Sequence, residues 1–268
     1  MIVHRSDEGA VTITSGLWPP RRNTPLLILS LDTTTRAGSV AIVRDDTILA
    51  ELTGDPAVTH GARLPSELQR ALEAAEVRIA EIDLVAVGAG PGSFTGLRVG
   101  ISTVQGLAFA RGLKVVPVSN LDALAHESAE RVAGALPIGA WIDAQRGEVF
   151  ATLYDPAGRA VIVPPSSLSP AETLATWRDV LGSQGVIFAG DGAVRYASVI
   201  RERLGDRAHL PEGASALAGV IGRLAAREPD RAVAPHAVIP VYVRRPDAEI
   251  ARDQRQASRD GPRGAGEI

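Results

Sequence analysis

Two short segments of the sequence carry residue types that could bind an anion. In the first, Asp32, Thr33 and Thr34 follow a predicted strand and could present hydroxyl and backbone N–H groups to a phosphate. The second is the glycine-rich segment GAGPGSFTGLRVG (residues 88–100), which lies between a predicted strand and a predicted helix. Such a segment offers free N–H groups and the positive end of a helix dipole. Phosphate binding is therefore the first chemistry that the sequence suggests.

A purely structural interpretation of both segments stays open. Asp32 and the threonines could close a turn through hydrogen bonds between side chain and backbone. In the glycine-rich segment, Pro91 could set a tight turn, and Ser93 or Thr95 could cap the following helix. The segment fits neither the phosphate loop that carries a lysine nor the dinucleotide-binding glycine pattern. Taken alone, this segment favours the tight turn.

Catalytic and metal-binding patterns are missing from the sequence. The chain has no cysteine, which excludes thiol nucleophiles, thiolate metal sites and disulfides. Its histidines are His4, His60, His126, His209 and His236. No two of them have the helical spacing of a metal site, and no G-x-S-x-G serine motif is present. We expect neither a metal site nor a catalytic residue.

Charge and hydropathy indicate a cytoplasmic protein without a membrane segment. The formal net charge is −3, whereas nucleic-acid-binding proteins usually carry a positive surplus, so tight direct binding to RNA or DNA is disfavoured. No apolar run reaches the roughly 20 residues of a membrane helix. Asp7 and Glu8 stand where a signal peptide would be apolar.

The first half of the chain predicts three strands followed by alternating helices and strands. We expect an antiparallel meander in residues 26–32, 38–43 and 47–53, then helices in residues 62–77 and 95–112, each followed by a strand, in residues 83–90 and 114–119. The order βββαβαβ is that of a ribonuclease-H-like half-domain. It predicts an α/β protein of the actin-like fold.

The second half repeats the beginning of the first, because residues 137–155 again read as a strand that ends in aspartate, a polar turn and a second strand. We expect further strands in residues 160–163 and 186–192, and helices in residues 170–181, 196–203 and 215–226. The predicted domains are a disordered extension (1–25), a first half-domain with the partner-binding helices (26–125), a smaller, degenerate second half-domain (126–243) and a mobile tail (244–268).

An actin-like fold would place the turns of both halves at a cleft between them, with Asp143 as the counterpart of Asp32. The predicted lining of a nucleotide cleft consists of Asp32, Thr33, Thr34, Gly90, Gly92, Ser93, Asp143, Gly190, Asp191 and Gly192. We expect no firmly bound cofactor there, and weak nucleotide binding stays an open alternative.

The helix predicted after the glycine-rich segment has almost no polar face. Leu97, Ile101, Val104 and Ala108 share one side, and Arg98 and Arg111 are its only charged residues. A helix that is apolar all round must be covered on two sides. The helix predicted around residues 66–77 could cover it within the monomer, but we favour coverage by a partner protein.

The segments ILSLDTTTRAGSVAIV (28–43), GAGPGSFTGLRVGISTVQGLA (88–108), IDAQRGEVF (142–150) and GDG (190–192) closely resemble the TsaB (YeaZ) family. The resemblance runs from about Leu26 to Val243. Proteins of this family belong to the bacterial machinery that makes threonylcarbamoyladenosine beside the anticodon of tRNA.

The resemblance implies a non-catalytic, cytoplasmic paralogue of the TsaD subunit. Asn120 and Leu124 stand where TsaD-like sequences carry metal-binding histidines. The helices at 62–76 and 95–111 would pair with the matching helices of TsaD, or with a second copy of this chain. The implied interface comprises Ala62, Leu68, Leu72, Thr95, Leu97, Arg98, Gly100, Ile101, Val104, Leu107 and Ala108. A TsaE-type ATPase would join the full complex, and tRNA would be contacted mainly through the complex.

Two other functions compete with this interpretation. An actin-fold ATPase or small-molecule kinase would use Asp32, Asp143 and the segment 190–192 around a nucleotide with magnesium. A glycoprotease-like peptidase is disfavoured, because the sequence provides no metal-binding pair and no serine nucleophile.

Overall fold

The computed structural model describes residues 2–5, 11–14, 25–132 and 134–244. The strands are β1 (Ile2–Arg5), β2 (Val11–Thr14), β3 (Leu27–Asp32), β4 (Ser39–Arg44), β5 (Thr47–Thr53), β6 (Leu84–Gly90), β7 (Val115–Ser119), β8 (Ile138–Asp143), β9 (Val149–Tyr154), β10 (Val161–Leu168), β11 (Val186–Ala189) and β12 (Ala208–His209). The α-helices are α1 (His60–Ala74), α2 (Phe94–Arg111), α3 (Asn120–Arg131), α4 (Pro170–Leu181), α5 (Asp191–Arg195), α6 (Ala197–Leu204) and α7 (Ala218–Arg227).

Two five-stranded sheets with the same strand order form the two halves. The first has the order β5-β4-β3-β6-β7 and the second β10-β9-β8-β11-β12. In each sheet the first three strands are antiparallel and the last two run parallel to the central strand. The predicted actin-like architecture, with two halves that repeat one pattern, is confirmed.

The central strands of the first sheet are buried along their whole length because helices cover both faces of the sheet. All six residues of β3 and all seven of β6 are buried. On one face of the first sheet, α1 and α2 close a core that includes Leu29, Val85 and Val104. Among the described helices, none is long and apolar enough to cross a membrane.

Helix α3 lies between the two sheets, and the sequence analysis did not predict it. It packs against β8 and β11 of the second sheet and also against β6 and β7 of the first. Leu121 and Leu124 belong to the core that both sheets share. The hydroxyl of Ser119 caps the helix by accepting the N–H of Asp122 at 3.2 Å.

Helix α7 returns from the end of the chain to the first sheet. It falls inside the predicted second half-domain, yet it packs on β3, β4 and β6. Its first turn is capped by distant side chains, since Oγ of Ser39 accepts the N–H groups of Leu217 and Ala218 at 3.1 and 2.9 Å. Glu51 accepts the N–H of Gly219 at 2.8 Å, a favourable place for a carboxylate, although burial raises its pKa.

In the predicted N-terminal extension, the described strands β1 and β2 pair with each other in an antiparallel ladder. The remainder of that extension and the predicted tail beyond Arg244 lie outside the described residues.

We predict that Gly222→Ala lowers the free energy of unfolding by about 1–3 kcal/mol, the usual cost of overpacking a core. A β-carbon at Gly222 would lie 2.6 Å from Cγ2 of Val43 and 2.8 Å from Oγ of Ser30, so α7 would have to move off the sheet. Urea unfolding measures the effect. The matched control is Gly106→Ala in α2, where a β-carbon meets nothing within 4 Å, and there alanine should be stabilising. Equal effects of the two changes would contradict the packing argument.

Candidate functional site

Asp32, at the end of β3, closes the turn that follows this strand. It is 2% exposed. Its Oδ1 atom accepts the backbone N–H of Thr34 at 2.9 Å and the Thr34 hydroxyl at 2.7 Å. A third hydrogen bond comes from Nδ2 of Asn120 at 2.8 Å. Because this oxygen is fully used inside the protein, the geometry favours the structural interpretation of the turn.

Asn120, the first residue of α3, joins the turn after β3 to the end of β6. Besides Asp32, its Nδ2 group reaches Oγ1 of Thr34 at 2.9 Å, and its Oδ1 accepts the N–H of Gly90 at 2.9 Å. The side chain is fully buried. A β-carbon at Gly88 would lie 2.8 Å from both terminal atoms of Asn120, so glycine at this position makes room for the amide.

The glycine-rich segment bends over this turn and starts α2. The N–H of Ser93 donates to the carbonyl of Thr34 at 2.8 Å, and the Ser93 hydroxyl accepts the N–H of Gly96 at 3.3 Å. The predicted capping role of Ser93 is therefore confirmed. Gly96 and Gly100 lie directly on Thr33, because a β-carbon at either position would overlap an oxygen atom of that residue. The Thr33 hydroxyl also donates to the carbonyl of Gly96 at 2.8 Å.

This contact corrects the predicted partner interface. Five of its residues face the chain's own sheet and turn, and are buried: Leu97, Gly100, Ile101, Val104 and Ala108. Gly96 and Gly100 make room for the turn after β3. A helix that is apolar on all sides gives no sequence signal for which side the sheet covers, so the wrong side was assigned.

The opposite side of α2 is exposed and carries the remaining predicted positions. Thr95 and Arg98 are exposed, and Leu107 is half-buried. On α1, Ala62 is exposed, while Leu68 and Leu72 are half-buried.

Three α2 residues that the sequence analysis did not assign complete this surface: Ser102, Gly106 and Phe109, the last of which is 84% exposed. With Thr95 and Arg98 they follow one another at helical spacing, and we call these five residues the α2 stripe. Phe109, an aromatic residue on the same side of the helix as Thr95 and Arg98, was the signal that could have identified the stripe.

The turn after β8 in the second half is built differently from its counterpart. Asp143 forms an ion pair with Arg195 at 3.0 Å, and its carboxylate accepts the backbone N–H of Gln145 at 3.1 Å and the side-chain Nε2 amide of Gln145 at 2.9 Å. Asp191 accepts the N–H of Asp143 at 3.1 Å. Burial raises the pKa of the Asp191 carboxyl, and the nearby charges of Asp143 and Asp32 add to this effect.

A cleft of about 1120 Å³ separates the two halves. Of the ten predicted cleft residues, Thr34, Gly92, Ser93, Asp143 and Asp191 line it. Asp32, Thr33, Gly90, Gly190 and Gly192 do not, since they are buried behind the lining. The sequence analysis missed other lining residues: Arg36, His60, Phe94, Arg146, Phe150, Arg195, Tyr242 and Arg244.

His60 supports the wall of this cleft as a neutral side chain. Its Nδ1 atom accepts from Nη2 of Arg63 at 2.8 Å, so Nε2 carries the proton and donates to the carbonyl of Thr35 at 2.9 Å. Burial lowers the pKa of His60, and the Arg63 charge lowers it further. Among the described residues, no group of three or more histidine, aspartate or glutamate side chains could hold a metal ion.

Comparison with known proteins identifies the family. The model of the family described as "TsaD: tRNA N6-adenosine threonylcarbamoyltransferase" matches residues 55–252. The crystal structure of YeaZ from Pseudomonas aeruginosa is 30% identical, has a TM-score of 0.64, and the similarity covers 81% of this chain and 99% of that one. The chain belongs to the TsaB (YeaZ) family.

Two further comparisons define how far the similarity extends. TsaB from Haemophilus influenzae is 40% identical over 127 residues, which are 47% of this chain and 52% of that protein. The chain therefore spans about half the length of this curated relative. The activator of 2-hydroxyisocaproyl-CoA dehydratase from Clostridium difficile shares the fold at 12% identity and a TM-score of 0.50, over 77% of this chain and 97% of that one.

We predict that Asn120→Ala lowers the free energy of unfolding by about 1–3 kcal/mol, because the N–H of Gly90 and the carboxylate of Asp32 each lose a buried partner. Chemical denaturation measures the loss. Gln69→Ala is the matched control, since that amide binds Glu73 on the exposed side of α1 and its removal should change stability by less than about 0.5 kcal/mol. If Asn120→Ala lowers the free energy of unfolding no more than the control does, the amide does not stabilise the fold.

Asp191→Asn should change how stability depends on pH. The folded-state pKa of Asp191 is raised, so its contribution is fully present below the unfolded pKa and is lost as pH rises through the folded pKa. The stability of the parent relative to the variant should therefore fall as the pH rises from the unfolded pKa of Asp191 through its folded pKa. Unfolding free energies of both proteins at a series of pH values from 3 to 8 measure the difference. A difference that grows with pH would reverse the assigned sign.

Proposed function

We propose that this protein is the scaffold subunit that binds and activates a TsaD-type transferase in the threonylcarbamoylation of adenosine next to the anticodon of tRNA. Its relatives are named tRNA threonylcarbamoyladenosine biosynthesis proteins, which supports the pathway. The observation that carries the scaffold role is the α2 stripe, with Phe109 84% exposed among small residues.

The α2 stripe contains two residue types that are enriched at the centres of protein interfaces, phenylalanine and arginine. An exposed aromatic side chain that is flanked by small residues can enter a pocket of a partner. Aromatic residues and arginine are frequent among the interface residues that contribute most to the binding free energy. Arg98 lies on the ring of Phe94 at 3.9 Å from the centroid, so the guanidinium of this stripe residue is held in place. A partner that brings a matching helix would extend contact to the exposed side of α1.

The positions where TsaD-like sequences carry metal ligands support a non-catalytic role. Asn120 is fully buried, and its amide group forms hydrogen bonds with Asp32, Thr34 and Gly90. Leu124 lies in the core shared by the two sheets. These two side chains perform packing and positioning, and neither can donate to a metal as histidine does.

The proposed partner is the TsaD-type subunit, and a second copy of this chain would occupy the same surface when that subunit is absent. Both would use matching helices, because this chain and TsaD share a family model. A TsaE-type ATPase would join the assembly. With a net charge of −3, this chain would approach tRNA mainly through the complex.

An actin-fold ATPase or small-molecule kinase is the second candidate, and the cleft between the halves is the observation in its favour. The hydrogen bonds that occupy Oδ1 of Asp32 weigh against it. Calorimetric titration of the isolated protein with ATP and magnesium, together with an assay of ATP turnover, tests this function. Tight binding with turnover would favour the kinase over the scaffold.

We predict that Phe109→Glu weakens binding to the TsaD-type subunit by on the order of 100-fold, since a buried aromatic anchor contributes 2 kcal/mol or more and each 1.4 kcal/mol is a factor of ten. Modification of tRNA by the reconstituted complex should fall in parallel at limiting protein. Because Phe109 is exposed, the variant should keep the parent's melting temperature. Isothermal titration calorimetry and a tRNA modification assay measure the two effects.

The matched control is Val180→Glu, which introduces the same charge at a 50% exposed apolar residue of α4 in the second half. Val180→Glu should bind like the parent. If both variants bind as the parent does, the α2 stripe is not the interface. If the isolated protein modifies tRNA without the TsaD-type subunit, the scaffold role is wrong.

A further inference from the structure

The last described residues of the chain follow the cleft wall. The 3₁₀ turn Pro235–Ala237 packs against α2, and Val238 is buried in the core beneath it. The chain then reaches the end of β6, where the N–H of Val241 donates to the carbonyl of Ala89 at 2.7 Å. We call residues 241–244 the strap, and all four line the cleft.

The strap is attached to the first half by backbone and by side chain. The Tyr242 ring packs on Phe94, the first residue of α2, with centroids 5.5 Å apart and planes tilted by 36°. A β-carbon at Gly90 would lie 2.7 Å from the carbonyl of Val241, so the glycine allows the strap to lie close to the end of β6. The strap therefore has a defined seat on the first half-domain.

The strap's last residue contacts the second half. Nη1 of Arg244 forms an ion pair with Oε2 of Glu148 at 3.1 Å, immediately before β9. The same guanidinium lies 5.9 Å from the centroid of Phe150. Glu148 is held in position for this contact, because its Oε2 atom also accepts the hydroxyl of Ser167 at 2.7 Å. Both charged side chains are partly buried, which reduces the screening of their attraction by water.

We propose that the strap fastens the second half-domain to the first across the cleft and thereby fixes the width of the cleft. The shared core around α3 and α7 joins the halves at their packed faces. The strap adds a connection along the cleft wall between the carboxyl end of β6 and the start of β9, and its Val243 packs against that core. This inference does not rest on what binds the α2 stripe.

Single-molecule energy transfer between dyes on the two halves tests the proposal. The chain has no cysteine, so Ala57→Cys in the cleft lining of the first half and Ser198→Cys at an exposed position of α6 in the second half would be its only labelling sites. At picomolar concentration copies of the chain do not associate, so the measured distance is intramolecular. The parent should give one narrow distribution. Arg244→Ala and Glu148→Ala should each add a population with a longer distance between the dyes, or shift the whole distribution to longer distances.

Two further comparisons make the result decisive. The charge exchange Arg244→Glu with Glu148→Arg should restore the narrow distribution, which distinguishes the ion pair from a general effect of either substitution. Arg231→Ala is the matched control. It removes an ion pair with Glu228 at 2.7 Å, which spans the single 3₁₀ turn Pro229–Arg231 that packs on β7 of the first sheet, and it should leave the distance distribution unchanged. Unchanged distributions in both single variants, or a shift in only one of them, would overturn the proposal.

Discussion

The contact between α2 and the turn after β3 determines how the first half presents its surfaces. Gly96 and Gly100 place the helix backbone directly on Thr33, which no other residue type would allow without displacing one of the two elements. This contact fixes the rotation of α2 about its own axis. Leu97 and Ile101 therefore face the sheet, and the stripe that ends in Phe109 faces outward. The exposed surface of the helix is thus a consequence of the buried glycine contact.

The same turn is held from its other side by Asn120. One amide links the turn, the end of β6 and the start of α3, so three elements depend on a single buried group. A buried carboxylate needs such partners, since an unpaired charge in a core is strongly destabilising. Asp32 is accordingly a structural centre. In the second half, Asp143 faces the cleft and pairs with Arg195 near the surface, so the duplicated turns have diverged in chemistry while keeping their topology.

Sequence patterns predicted the parts of the structure that depend on local periodicity. The alternation and length of the apolar runs gave β3 to β11, and helical spacing gave α1, α2, α4, α6 and α7, whereas the two-residue strand β12 and the short helix α5 were not predicted. Helix α3 was missed because its segment was considered only as the location of absent metal ligands. The burial of Asp32 and the return of α7 to the first sheet depend on contacts 88 and more residues apart, which periodicity does not encode.

The interface and the cleft show a second limit of sequence patterns. Amphipathicity identifies a buried face only when the other face is clearly polar. The exposed face of α2 mixes polar residues with Gly106 and Phe109, so the sequence indicated the correct helix but the wrong side of it. For the cleft, the motifs gave the right loops but could not separate lining residues from those behind them. Residues 241–243 of the strap were assigned to the end of the second half-domain and Arg244 to the mobile tail, because a short irregular segment has no periodic signal.

Helix α2 also connects the two surfaces that this structure offers. Its first turn reaches the cleft, where Phe94 contacts Tyr242 of the strap. Its exposed length carries the α2 stripe, and Arg98 belongs to both regions because it lies on the Phe94 ring. Helix α2 is seated on Thr33 at Gly96 and Gly100, and the same continuous helix carries both regions. The cleft wall and the stripe are therefore parts of one body, whereas the second half meets that body through the shared core and through Arg244.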